Sequence, residues 1–224
     1  TGIGVGANVF RWTISNGVCT PSSDDVVITR DGTATTAAAG PDQTICAASA
    51  TLAGNVATVG TGAWTLVSGT GTITTPGSPA SGVTGLGVGA NIFRWTISNG
   101  TCTASADEVT ITRDETPTTA AAGPDQSFCE TTTATLAGNT PSVGTGLWTL
   151  VSGAGTITTS TSPTSGVTAL GYGVNVFRCT ISRGTCRAST DDATSRPYQT
   201  PTTAAAGPDQ SFCETTTADR KSVV

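Results

Sequence analysis

Nine residues, TTAAAGPDQ, stand at 35–43, at 118–126 and again at 202–210. They are the best-preserved part of a longer repeat. TGIGVGANVFRWTISNGVC (1–19) returns as TGLGVGANIFRWTISNGTC (84–102) and as TALGYGVNVFRCTISRGTC (168–186). Cys19 and Cys102 are 83 positions apart, and Cys102 and Cys186 are 84 apart, the extra residue falling just after Cys129. A period of this length exceeds that of solenoid repeats and matches a small independent domain, so the chain reads as an array of beads.

Within one period the hydrophobic pattern is that of strands. In NIFRWTIS, Phe93, Trp95 and Ile97 alternate with Arg94, Thr96 and Ser98, which puts three apolar side chains on one face and polar ones on the other. Asn99-Gly100 follows as a two-residue type I′ hairpin turn, and EVTIT (108–112) alternates again on the return strand, past an expected bulge near Asp107. Upstream, ATLAG, AWTLVSG, GTITT and SGVTGL read as four more short strands between Gly and Pro turns, and no capped helical pattern occurs. Six or seven short antiparallel strands in such a length, with Trp64 or Trp148 on a middle strand and Trp12 or Trp95 on the penultimate one, predict an all-β, immunoglobulin-like two-sheet sandwich. Its expected core comprises Trp12, Trp64, Trp95, Trp148, Phe93 and Phe177.

The phase of the repeat divides the chain into the last third of one module (1–33), whole modules at 34–115 and 116–200, and the opening of another (201–218). TTAAAGPDQ then lies at each junction, where Pro41 or its equivalent removes a backbone donor and limits swing between beads. The closing DRKSVV (219–224) has no counterpart in the repeat. It matches the translation of a common sequencing-adapter read, so it is expected to be a read-through artefact on a chain that continues as further modules. The third copy departs from the pattern: Trp becomes Cys179, Asn becomes Arg183, and VTITRDE becomes ATSRPYQ (193–199), with loss of strand alternation expected there.

Composition narrows the function classes. Charged residues are 11% and the net charge is −5, with one Lys, Lys221, and scattered Arg, which is the wrong footprint for nucleic acid. There is no basic amphipathic stretch for a membrane surface, and no apolar run long enough to span a bilayer. With no His at all, Ser-His-Asp and Cys-His catalysis and most zinc chemistry are excluded, and the chain is read as a non-enzyme without a cofactor.

Cysteines recur at two places in each period, after the first strand (Cys46, Cys129, Cys213) and after the hairpin turn (Cys19, Cys102, Cys186), which suits an oxidising compartment. Structural disulfides are expected among Cys46, Cys102, Cys129 and Cys186. The simplest pairing is within modules, Cys46 with Cys102 and Cys129 with Cys186, each loop contributing roughly 4 kcal/mol on the chain-entropy model. In an ordinary sandwich, however, the first strand's end and the last hairpin turn lie at opposite poles. Pairing at a 27-residue spacing, or across modules from Cys46 to Cys186, therefore stays open. Cys179, in place of a core Trp, should be unpaired.

The carboxylate pairs Asp24–Asp25, Asp107–Glu108 and Asp191–Asp192 point to opposite faces of their strands, so they do not converge as acid and base. They read as edge-strand charge that deters aggregation, with a calcium site of Asp107, Glu108 and Asp125 (or Asp42) near a junction as the functional counterpart.

The landmarks AAAGPDQTIC, ATLAGN, GTGAWTLVSGTGTI, SPASGVTGLGVGANIFRWTISNGTC and DEVTITRD resemble the PKD-like, immunoglobulin-like repeats of very large secreted surface proteins of Bacteroidota. Many of those look like gliding adhesins or filament proteins exported by the type IX system. The resemblance implies an extracellular or outer-surface location, a cleaved signal and a C-terminal sorting domain. The expected function is a non-catalytic stalk, filament or adhesin shaft whose partners are neighbouring modules of the same longer chain and other copies in a filament. The alternative is an array binding surface glycans, which needs exposed aromatics, and here Tyr172 and Tyr198 occur only in the altered copy.

Overall fold

The computed structural model describes residues 2–209 and 211. Cys213, the tail 219–224 and residues 210 and 212–218 of the expected opening of a further module lie outside them. The described residues form sixteen strands and no helix, so none is long and apolar enough to cross a membrane as a helix.

Strands β1 (Gly6–Ile14) and β2 (Ser22–Arg30) make an antiparallel hairpin. Then come β3 (Gln43–Ile45), β4 (Ser49–Thr51), β5 (Thr61–Ser68), β6 (Thr72–Ile73), β7 (Gly82–Thr84), β8 (Gly89–Ser98) and β9 (Ser105–Arg113). They build a four-stranded sheet in the order β3-β9-β8-β5 over a three-stranded sheet β4-β7-β6. The same order returns with β10 (Gln126–Cys129), β11 (Ala134–Thr135), β12 (Thr145–Ser152), β13 (Thr156–Ile157), β14 (Gly166–Thr168), β15 (Asn175–Arg183) and β16 (Cys186–Tyr198). Each set is an immunoglobulin-like β-sandwich. Its first strand is parallel to its last, β3 with β9 and β10 with β16, whereas the other pairings are antiparallel.

Alternation in β8 is what encloses the core. Asn91, Phe93, Trp95 and Ile97 are buried, and Val109 and Ile111 of β9 join them against Leu52, Val83 and Leu86 from the facing sheet. Trp64 and Trp95 are register partners with ring centroids 5.0 Å apart. Each such ring removes on the order of 200 Å² from water, about 5 kcal/mol of transfer free energy. Trp64 and Trp148 each donate their indole N–H to a carbonyl across the sandwich, of Pro79 and Pro163, at 3.1 Å. Phe177 and Trp148 are buried in the second module.

Four expectations need correction. Trp12 stands 73% exposed, because no second sheet among the described residues covers the apolar face of β1–β2. Asn99-Gly100 is not a two-residue type I′ hairpin: only Gly100 has positive φ, Asn99 O accepts from Cys102 N, and the connection runs from Ser98 to Ser105. The register of β8 on β9 passes Asp107 without a bulge, and the irregularity falls instead on β5, between Leu66 and Ser68. Residues 193–198 keep their strand: β16 pairs with β15 through Thr194 and Ser195 and with β10 from Ser195 to Tyr198, since the ladder is made by backbone groups, and small side chains (Ala193, Ser195) replace Val and Ile on the buried face.

Candidate functional site at the module junctions

Because β3 runs parallel to β9, each sandwich has a tail pole, where its first and last strands both end, and a turn pole, where β8 turns into β9. The tail of one unit meets the turn of the next. At the first junction Asp31, just past β2, receives Thr101 N–H at 2.8 Å and Thr101 O–H at 3.1 Å on the same Oδ2. Asn99 Nδ2 donates to Gly32 O at 2.7 Å, and Cys102 Sγ reaches Asp31 O at 3.6 Å. At the second junction Asp114, just past β9, receives Thr185 N–H at 2.7 Å and Thr185 O–H at 2.9 Å on Oδ2, with Cys186 Sγ 3.8 Å from Asp114 O. The turn glycine makes room for this: a Cβ on Gly100 or Gly184 would collide with the carboxylate of Asp31 or Asp114, and both glycines have positive φ, at 51° and 46°. Arg183 stands where the first junction has Asn99, so the amide bond to the linker is replaced by charge.

Asp114 is held below its ordinary carboxylate pKa of 3.8, first by the Thr185 backbone N–H, then by the Thr185 hydroxyl, with the Arg183 charge adding to them. A lowered carboxylate contributes its full share to the junction above pH 3.8 and loses it as pH falls through Asp114's own, lower pKa. The Thr185 amide proton shift in NMR should therefore titrate with a midpoint below 3.8, and Asp114→Asn should abolish that titration.

Across the second junction lies a disulfide between Cys46 and Cys186, with Cα atoms 4.9 Å apart and 140 residues between them in sequence. Of the three pairings open to the sequence, this is the cross-module one. Cys102 and Cys129, expected in bonds within modules, carry none, and neither do Cys19 and the buried Cys179. Burial pushes the Cys179 thiol pKa up, with the Asp191 charge adding to it.

TTAAAG is not the joint itself. It is pinned into the body of its own module: Ala37 N donates to Ser105 Oγ, Ala39 N to Asp107 Oδ2, and Ala38 N to Asn55 Oδ1. Ala39 is fully buried, and Gly40, at φ 85°, passes so close to Ala53 that a Cβ would lie 2.8 Å from its carbonyl oxygen. Asp42 Oδ1 then accepts Thr110 N–H at 2.8 Å, and its counterpart Asp125 accepts Thr194 N–H at the same distance. Nine residues recur because nearly every one fills a steric or hydrogen-bonding place. The joint proper is the short stretch before them, 31–34 and 114–117.

The calcium candidates do not come together. Asp107 is engaged by Ala39, Glu108 faces the other way and pairs with Arg94, and Asp125 belongs to the following module. Among the described residues no three acidic, Cys or His groups are arranged to hold a metal ion. Asn91 and Asn175 escaped the sequence reading: each is buried with its amide fully bonded, and a polar residue at the head of an apolar alternation was the signal for them.

No family model matches the chain, and no curated protein does. Among solved structures, the PKD domain of the KIAA 1837 protein is similar at 22% identity and TM-score 0.32, over 41% of this chain and 92% of that domain. Immunoglobulin domains 1–4 of Sidekick-1 are similar at 12% identity and TM-score 0.47, over 78% of this chain and 55% of theirs. The insect immune protein hemolin is similar at 11% identity and TM-score 0.43, over 85% of this chain and 56% of its own. The chain folds as a tandem repeat of all-β, immunoglobulin-like sandwiches.

Proposed function

We propose that this chain is a stretch of an extracellular structural shaft, a non-catalytic stalk, filament or adhesin on a bacterial surface, of the kind that Bacteroidota export through the type IX system. The observation that carries the reading is the repeated joint: an aspartate past the last strand accepts the same two hydrogen bonds from the turn threonine at both junctions. A shaft needs length and joints that set the same angle each time, whereas a binding or catalytic domain needs one distinctive site. The disulfide supports an oxidising location. Glycan binding has less to work with, since Trp64, Trp95 and Trp148 are in the cores. Electron microscopy and small-angle scattering of the purified chain test the reading: a rigid rod of aligned beads is expected at neutral pH. Beads folded back on one another, or free to adopt many angles, would overturn it.

A further inference from the structure

We propose that Cys46–Cys186 is one link of a staple repeated at every module junction. Cys102 and Cys129 are then halves of the flanking links, Cys102 bonding the first-strand cysteine of the preceding module and Cys129 the turn cysteine of the following one. The partner is another module of this repeat, and the inference deepens the shaft reading on which it rests.

Pairing within a module is closed off by geometry. Cys46 follows Ile45, which is the register partner of Arg113 at the far end of β9, whereas Cys102 precedes Ser105 at the near end. The nine residues of β9 put roughly 25 Å between those poles, and a disulfide needs Cα atoms within about 7 Å. Across a junction the two kinds of cysteine are neighbours, as Cys46 and Cys186 show.

Both remaining cysteines already occupy the bonded positions. Cys102 stands to Asp31 as Cys186 stands to Asp114: the threonine before each makes the same pair of bonds to the carboxylate, and the sulfurs lie 3.6 and 3.8 Å from the aspartate carbonyl oxygens. Cys129 ends β10 beside β16 as Cys46 follows β3 beside β9, with Phe128 opposite Pro197 in the register that sets Ile45 opposite Arg113. The body that would present a cysteine to Cys102 is the sandwich to which β1–β2 belong. Phe10, Trp12, Ile14, Val26 and Ile28 expose a face whose equivalents in the next module, Phe93, Trp95, Ile97, Val109 and Ile111, are at most 1% exposed beneath a second sheet. Cys19, on that hairpin's own turn, is placed for the link before.

Each link forms by thiol–disulfide exchange. The thiolate of one cysteine attacks the sulfur of the other while that sulfur is held in a mixed disulfide with an oxidising dithiol carrier. The protein S–S bond forms, the carrier's S–S bond is spent, and the carrier leaves as a dithiol holding the two electrons and two protons. Successive links overlap, since each module would carry one half of the link behind it and one half of the link ahead. A load along the shaft would then pass through sulfur as well as through the short linkers.

The test adds a module to the whole chain. Residues from 202 onward are replaced by a copy of residues 35–117, with Cys102→Ser in the original position and Cys46→Ser in the added copy, so that a Cys102 peptide comes from the added copy alone and a Cys46 peptide from the original module alone. After oxidation, free thiols are alkylated and peptides mapped without reduction. The expected result is a peptide joining Cys129 to the added copy's Cys102, with alkylation of Cys129 falling at least tenfold against the unextended chain. Cys46–Cys186 in the same molecules reports folding and oxidation. Cys129 still alkylated while Cys46–Cys186 is intact would overturn the proposal, as would a Cys129–Cys186 peptide. Neither result bears on whether the beads align, which scattering reads separately.

Discussion

Gly62→Ala should destabilise the first whole module by about 3 kcal/mol, the upper end for forced overpacking, while Gly146→Ala at the same place in the second should change stability by less than about 0.5 kcal/mol. The two glycines are repeat equivalents on β5 and β12, opposite Ile97 and Ile181. A Cβ on Gly62 would overlap the Trp95 ring, whereas one on Gly146 meets nothing within 4 Å. The difference comes from one substitution in the facing strand. Cys179 stands where Trp95 stands, and Gly146, Trp148, Pro163 and Cys179 line a small hollow in place of the ring. Gly146 is therefore a glycine kept for a tryptophan that its module lacks.

Cys179→Trp should refill the hollow and stabilise the second module by about 2 kcal/mol, the reverse of a large-to-small core change. The gain should vanish in the double variant with Gly146→Ala, because the new ring would meet the new methyl. Amide hydrogen exchange through urea unfolding separates the modules, the Trp95 and Ile97 amides reporting on the first and the Phe177 and Ile181 amides on the second. Equal losses from Gly62→Ala and Gly146→Ala would show that the ring does not set the space.

How much could be read in advance follows the range of each interaction. The alternation of Phe93, Trp95 and Ile97 specified a half-buried strand, and the tryptophans of the middle strand marked the core, because both depend on neighbours a few residues away. The same alternation at Phe10, Trp12 and Ile14 misled, since period two says which face is apolar but not whether a second sheet covers it. The Asn99-Gly100 turn misled differently. Its shape is held by Asp31 from the preceding unit, and local turn chemistry carries no trace of a carboxylate nearly 70 residues away. Among the cysteines, spacing left three pairings open; the parallel placement of β3 on β9 bears out the opposite poles expected of a sandwich, and the meeting of one module's tail with the next module's turn selects the cross-module pair. The strand at 193–198 survived its lost apolar alternation because the hydrogen-bond ladder asks little of side chains once β15 is in place.

Asn91→Ala should cost about 3 kcal/mol, as much as the loss of a large core side chain, although it removes only one small polar group. The Asn91 side chain is a buried knot. Its Oδ1 accepts Thr70 N–H at 2.9 Å, and its Nδ2 donates to the carbonyls of Gly87 at 2.9 Å, Gly89 at 3.1 Å and Ile111 at 3.2 Å. These bonds tie the β5–β6 turn, the approach to β8 and the return strand β9 into one corner, closing both sheets at the tail pole. Truncation strands the Thr70 donor away from water, and an orphaned buried donor carries most of its desolvation cost. Asn91→Asp separates the role of shape from that of the amide: it keeps the acceptor for Thr70 but faces three carbonyl oxygens with a carboxylate, so it should be at least as damaging as Ala at neutral pH. Protonation gives that carboxyl a donor again, so the Asp variant should recover part of its stability on acidification while the Ala variant does not. Urea unfolding of both variants at neutral and acidic pH reads this directly. Asn175 repeats every one of these contacts, through Ala154, Gly171, Gly173 and Ser195, so the same pair of substitutions there should reproduce the result in a module whose hydrophobic core has been thinned. A large loss at Asn91 with none at Asn175 would mean that core packing, rather than the amide knot, holds the corner.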